Sequence, residues 1–199
     1  MTRLSANAYD GRWKSYTDRS HRMFLERPAL GDGQRVLDVG CGTGSLELKL
    51  LARWPGVRLT AVDACPEMVE TARRKSALLP RVDWRVADAH SLPFPEESFD
   101  TVLSASAFHY FEIPQEALRE IKRVLKPGGR FFFLDWSRDF WAMRLLDHWL
   151  TIRGRDYHRC YRETELKALL ETAGLAVRTA ERFKVGPLWG FVWMEAEKA

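Results

Sequence analysis

The sequence predicts an α/β fold, a parallel sheet wrapped by helices on both faces, and three observations carry that prediction. From Val36 onward, short apolar runs alternate with segments of helical period, with no internal repeat and no linker. The first apolar run, Val36-Leu37-Asp38-Val39, passes straight into Gly40-Cys41-Gly42-Thr43-Gly44, and an amphipathic segment begins at once behind it. Phe131-Phe132-Phe133-Leu134 is apolar without a break, as a strand covered on both faces requires. Parallel neighbours joined in this way imply right-handed crossovers.

Composition agrees. At 199 residues and 46% apolar content the chain fits one globular domain with a substantial core. The net charge is +4, but 31 Lys and Arg are interspersed with 27 Asp and Glu, so no basic stripe for nucleic acid is evident. The runs Arg73-Arg74-Lys75 and Arg153-Gly154-Arg155 are short and read as solvated helix ends and loops. Cys41, Cys65 and Cys160 are odd in number and share no metal-type spacing, which points to a reducing compartment. No cationic start leads into an apolar segment, and no apolar run approaches the roughly 18 residues that cross a bilayer, so a cytoplasmic protein is expected.

The elements follow in order. Tyr9, Trp13, Tyr16, Met23 and Phe24 recur at helical intervals and predict a helix from about Asp10 to Glu26, broken by Pro28 and the Gly31-Asp32-Gly33 turn. After the first strand, a helix from Ser45 carries Leu46, Leu50 and Trp54 on one face. Val57 to Val62 reads as a buried strand ending in Asp63, and Pro66 opens the next helix with Met68, Val69 and Ala72 inward. Arg81 to Ala87 alternates as a third strand ending at Asp88, and Asp100 to Ser104 is a fourth. Pro114 opens a helix with Ala117, Leu118, Ile121 and Leu125 inward, stopped by Lys126-Pro127-Gly128-Gly129 before the Phe131 run. In the last third, Ser137 to Ile152 is a helix with Phe140, Trp141, Leu145 and Trp149 on one side. Glu163 to Ala173 is another, ended by Gly174 and entered at Arg162, where Ser or Thr is the usual cap. Val177 to Phe183 and Leu188 to Met194 are strands around a Gly186-Pro187 turn.

In such sheets, ligands sit beyond the carboxyl ends of the central strands. The glycines permit a sharp turn and leave no Cβ between backbone and ligand, while the helix behind offers unpaired N–H groups. A dinucleotide fingerprint needs its third glycine at the sixth position, which here is Ser45; a P-loop needs Gly-Lys-Ser/Thr, and none follows. Asp38 would repel a diphosphate and suits an ammonium or sulfonium instead. Asp63, about 20 residues past the glycines, can accept from both hydroxyls of a ribose.

At these residues the chain resembles motif I of the class I S-adenosyl-L-methionine (SAM) dependent methyltransferases. Ala87-Asp88-Ala89-His90-Ser91-Leu92-Pro93-Phe94, Phe99-Asp100-Thr101-Val102-Leu103 and Leu125-Lys126-Pro127-Gly128-Gly129 resemble the same family, so the likeness runs over about 34–135. It implies a Rossmann-like seven-stranded sheet of order 3-2-1-4-5-7-6 with its last strand antiparallel. It also implies a helical lid over 1–33, a cofactor-binding core over 34–135, and substrate-side helices with a C-terminal hairpin over 136–199. The cofactor implied is SAM, released as S-adenosyl-L-homocysteine. Its implied contacts are Asp38, Gly40, Cys41, Gly42, Gly44, Asp63, Ala64 and Ser104, with Met68 on the adenine face. Asp88 and the Ala89 N–H would meet the adenine edge, and Tyr16 would reach the cofactor carboxylate from the lid.

The reaction implied is in-line displacement at the sulfonium methyl by a small or lipophilic acceptor, with proximity alone contributing on the order of 7–11 kcal/mol. Where a proton must leave, His109, just past strand four, suits a base near neutrality. The substrate pocket is assigned to His109, Tyr110, Trp141 and Tyr157, with tryptophans lining an apolar cavity or caging a cationic amine. No metal and no membrane span are expected; the chain reads as a monomer or homodimer. Two competing readings stay open. Methylation of RNA or protein is disfavoured because Ser104-Ala105-Ser106-Ala107 stands where an Asn-Pro-Pro-Tyr type motif would fall. A SAM-binding protein without catalysis satisfies the glycine run equally well.

Overall fold

The computed structural model describes residues 6–77, 82–153, 157–186 and 188–199, and the side chains of these apart from 6–10, 12 and 13. The expectations for the side chains of Tyr9 and Trp13, and for Arg81, Gly154, Arg155 and Pro187, lie outside what is described.

The sheet forms from β1 (Arg35–Val39), β2 (Arg58–Asp63), β3 (Val82–Val86), β4 (Phe99–Ala105), β5 (Leu125–Trp136), β6 (Leu175–Val185) and β7 (Trp189–Lys198). Its order is β3-β2-β1-β4-β5-β7-β6, as the resemblance implied. β1 to β5 pair in parallel, and β7 runs antiparallel to both β5 and β6. Order therefore reverses between β1 and β4, and the crevice of an open α/β sheet opens beyond the carboxyl ends of those two strands.

The helices are α1 (Ala6–Leu25), α2 (Ser45–Arg53), α3 (Pro66–Lys75), α4 (Pro114–Val124), α5 (Trp141–Arg153) and α6 (Glu163–Thr172). Period-two alternation splits the core in two. Leu37, Phe131 and Phe133 pack with Leu118, Ile121, Leu166 and Leu170 of α4 and α6. Their neighbours Val36, Phe132 and Leu134 pack on the opposite face with Phe24, Leu50, Met143 and Leu150 of α1, α2 and α5. A smaller cluster joins Val69 and Ala72 of α3 to Ala61 and Trp84.

Several boundaries differ from expectation, for reasons that lie in pairing. The Lys126-Pro127-Gly128-Gly129 stretch ends α4 but belongs to β5: Leu125 pairs with Phe99 and Arg130 with Thr101, so the residues between loop out of the ladder with Gly128 at φ 70°. Both hairpin strands outrun their apolar pattern because each pairs along the whole length of the other, from Leu175↔Lys198 to Val185↔Trp189. α5 starts four residues later than expected, behind a Ser137–Asp139 hydrogen-bonded turn. At α6 the missing Ser/Thr cap is offset by Glu165, whose carboxylate accepts from the Arg162 N–H at 2.8 Å.

α1 is tied to the sheet through one hydroxyl. Tyr16 Oη accepts from Trp136 Nε1 at 2.6 Å and lies 3.0 Å from Ser106 Oγ. The ring packs on Trp189 and Phe191. Tyr16→Phe would strand the buried Trp136 N–H, at a cost of about 1–3 kcal/mol. A fall in Tm of roughly 2–12 °C is expected by calorimetry, with α1 cut faster by protease than in the wild type. An unchanged Tm would show that the aromatic packing alone holds the helix.

Candidate active site

Three glycines shape the end of β1, each for its own reason. Gly40 has φ 90°, and a Cβ there would fall 2.2 Å from Ala107 Cβ, so the β1 turn and the segment after β4 touch through this residue. At Gly44 a Cβ would meet Trp84 Cη2 at 2.6 Å and Ala72 Cβ at 2.9 Å, so its place is set by packing. Gly42 has φ 55° and faces open space, where a Cβ would meet nothing within 4 Å. The run is braced from β2: the Val62 carbonyl accepts from Gly40 and Cys41, and Asp63 Oδ2 accepts from the Gly42 N–H at 2.9 Å. Asp63 Oδ1 accepts from the Cys65 N–H at 2.8 Å. Burial raises the Asp63 carboxyl, opposed by these two backbone donors. Ala64 beside it is exposed and Met68 half-buried, on the first turn of α3.

Behind the glycines lies a pair of acids that the protein itself does not satisfy. Asp38 Oδ1 and both carboxyl oxygens of Glu47 are buried without a hydrogen-bond partner. Burial, and then the charge of Asp63, pushes the Asp38 carboxyl up to about 6. Burial first, and Asp38 second, holds Glu47 well above the usual carboxylate range. Cys41, buried in the same acidic surroundings, has its thiol pushed up and is no nucleophile here. Orphaned acceptors of this kind lack a cationic donor, so the residues present fit a ligand that carries an ammonium or sulfonium.

The far wall of the crevice is built from β4, β5 and the segments behind them. Ser106, just past β4, is held at φ 57°, a strained position for a residue with a side chain. The 3-10 turn Phe108–Tyr110 follows and buries His109. Asp135, at the end of β5, accepts three times: from His109 Nδ1 at 2.6 Å, from the His109 N–H at 3.0 Å and from the Trp136 N–H at 2.6 Å. That contact places the imidazole hydrogen on Nδ1, and among the described residues nothing meets Nε2. The ring stacks on Trp136 at 4.2 Å and 8°, with Tyr110 and Tyr157 at 4.2 and 5.7 Å. The His158 N–H donates to the His109 carbonyl at 3.0 Å, which locks the loop after α5 against this turn.

Several expectations are corrected by this geometry. Ser104 is fully buried and its hydroxyl donates to the Val39 carbonyl at 3.0 Å, so it joins β4 to β1 rather than facing the crevice. The Tyr16 hydroxyl is already engaged by Trp136 and Ser106. Trp141 is 66% exposed on the outside of α5 and encloses no cavity; Trp136 is the tryptophan at His109. The Tyr157 hydroxyl is spent on Asp147 and Cys160, leaving only its ring toward His109. Asp88 reaches the same end of the sheet, but one carboxylate oxygen accepts from the His90 N–H and from His90 Nδ1. Those His90 contacts, the backbone one foremost, hold Asp88 below its ordinary range. His90 Nε2 accepts from the Ile113 N–H at 3.1 Å, so both its nitrogens are occupied. Ala89 is buried beneath. Glu47, Asp135 and Trp136 escaped the sequence reading; Asp135-Trp136, directly after an unbroken apolar strand, carried a usable signal.

Comparison with known proteins bears on the fold. Residues 37–133 match the family described as a methyltransferase domain. A demethylmenaquinone methyltransferase of Thermus thermophilus is 39% identical over 136 residues, 68% of this chain and 59% of that protein. A ubiquinone/menaquinone biosynthesis C-methyltransferase of Geotalea daltonii is 37% identical over 125 residues, 60% of this chain and 53% of that protein. The chain thus spans between half and three-fifths of the length of these relatives. A chain in the complex between the Haloferax volcanii Trm112 methyltransferase activator and the putative methyltransferase superposes with TM-score 0.82 at 26% identity, covering 100% of this chain and 99% of that one. In fold and in the residues matched, the chain resembles the class I SAM-dependent methyltransferases. A malonyl-[acyl-carrier protein] O-methyltransferase of Halorhodospira halophila is likewise 41% identical over 111 residues, 55% of this chain and 38% of that protein.

Two measurements check the site. The raised carboxyls contribute stability below about pH 4 that is lost as pH rises through about 6, on the order of 3 kcal/mol at pH 8 for a carboxyl displaced as far as Asp38. Glu47→Gln is therefore expected to raise the Tm of the ligand-free protein by at least about 4 °C at pH 8 and hardly at pH 4. An equal shift at both pH values would reject the buried acid pair. Ser104→Ala should cost roughly 1–3 kcal/mol of stability while leaving SAM affinity within about twofold. A large loss of affinity in titration calorimetry would return Ser104 to the ligand wall.

Proposed function

We propose that the chain transfers a methyl group from SAM to a small lipophilic acceptor bearing an acidic O–H on an aromatic ring. The observation that carries the proposal is the Asp135–His109 pair, set with a free Nε2 at the same end of the sheet as the open glycine turn and the unsatisfied acids. Gly40 to Gly44, Asp38, Asp63, Ala64, Met68, Asp88 and Ala89 would hold the cofactor, with Asp63 and Asp88 turned to its polar edges. Glu47 lies beside Asp38, and a cationic ligand there would favour the ionised form of the pair.

When bound, SAM supplies an electrophilic methyl group on a sulfonium sulfur. His109 Nε2 takes the acceptor's O–H proton, which turns the ring into a phenolate whose oxygen or ring carbon attacks. Asp135 holds the imidazole in the tautomer that leaves Nε2 basic and stabilises the imidazolium once formed. Tyr110, exposed beside His109, would offer a flat face to an aromatic acceptor, with the buried Trp136 and Tyr157 rings as the wall behind His109. A quinol is the acceptor that matches these faces best, and the names of the Thermus and Geotalea relatives lend it support.

Titration calorimetry with SAM and S-adenosyl-L-homocysteine tests the cofactor; no binding of either at millimolar concentration would end the proposal. Asp135→Asn is expected to leave cofactor affinity within about threefold while lowering kcat on a water-soluble quinol by about 10²–10⁴. Undiminished turnover in His109→Ala would remove the proton-transfer role.

A further inference from the structure

α5 carries a stripe that the fold does not use. Met143, Asp147 and Leu150 point inward, whereas Trp141, Leu145, Trp149 and Ile152 are 66, 64, 53 and 69% exposed. Their spacing of four, four and three residues aligns them on one outer face. Leu188, 60% exposed before β7, lies at the same end of the sheet, since β6 runs parallel to β5 and reaches its carboxyl end there. Four large apolar side chains in a row are more than scattered surface residues.

Charge accompanies the stripe. Residues 136–162 contain six arginines and three aspartates, no lysine and no glutamate, so they hold three of the chain's four net positive charges. Arg144 and Arg153, on α5 itself, are exposed and make no ion pair among the described residues. The chain beyond α5 returns to the crevice, where the His158 N–H donates to the His109 carbonyl.

We propose that this face of α5 docks on an anionic lipid bilayer, laying its tryptophans at the interface and its arginines among the headgroups. Tryptophan and aliphatic side chains on one face, with arginines flanking them, are the composition of a helix that lies in the interface plane. A second copy of the chain would bring the same positive excess to the contact, and nucleic acid would leave Leu145 and Ile152 unused. Docking here rests on the proposed lipophilic acceptor: it sets the crevice against the phase in which such a molecule dissolves.

The test is sedimentation of the full chain with vesicles of phosphatidylcholine alone or with about one-third phosphatidylglycerol. Binding to the anionic vesicles is expected to exceed binding to the neutral ones by roughly tenfold or more and to weaken between low and high salt. Leu145→Glu with Ile152→Glu should lower vesicle binding roughly tenfold or more, with Tm and SAM affinity unchanged. Turnover of a bilayer-dissolved quinol should fall with it, and that of a water-soluble one should not. Failure to bind anionic vesicles, or binding that the double variant leaves intact, would overturn the proposal. So would a dimer in light scattering that the same variant dissolves, or binding to duplex RNA in place of vesicles. Vesicle binding without SAM binding would retire the methyl-transfer reading and leave the surface standing.

Discussion

The close approach of Gly40 to Ala107 governs this molecule. It brings the end of β1 against the segment leaving β4, at the one place where the strand order reverses. Anything larger than a hydrogen at Gly40 would push the two apart, and with them the glycine turn and the 3-10 turn that carries His109. On one side of that contact stand the acids and open backbone suited to a cation; on the other stand the imidazole and its aromatic neighbours. The distance between the glycine turn and the His109 turn is thus a consequence of one backbone packing against one methyl group.

The site draws on stability to exist. Asp38 and Glu47 are buried with acceptors unsatisfied, Ser106 sits in left-handed backbone, and Asp135 is enclosed at the rim with its imidazole. Isolated, each would be a defect; a fold tolerates them where a ligand, or a proton in flight, completes the set. The surrounding structure supplies the rigidity. Phe131 to Leu134 anchor β5 on both faces, and Tyr16, Trp136 and Ser106 tie the first helix to the same rim.

Misread positions share a cause. Ser104 and Trp141 stand at the right places in the chain, but strand alternation turns the Ser104 hydroxyl into the sheet, and helical phase turns Trp141 outward. Tyr157 is near the site, yet its hydroxyl is claimed by Asp147, ten residues earlier and on another element. Lys126-Pro127-Gly128-Gly129 looks like a helix stop, and is one, but the pairing of Leu125 with Phe99 carries the strand back across it. Local pattern says where a residue lies along the chain; which partner takes its polar atom depends on elements far away.

Periodicity and glycine spacing determined the fold class and, through its family likeness, the strand order; they also placed Asp38, Asp63 and Asp88 at one end of the sheet. These are legible because strand and helix periods, and the need for a Cβ-free turn, are local properties of backbone and side chain. Tertiary structure alone decided that His109 meets Asp135, 26 residues away, that Glu47 lies beside Asp38, and that the tryptophans of α5 face outward. Such pairings come from packing helices on a twisted sheet, where burial, not proximity along the chain, selects which groups touch.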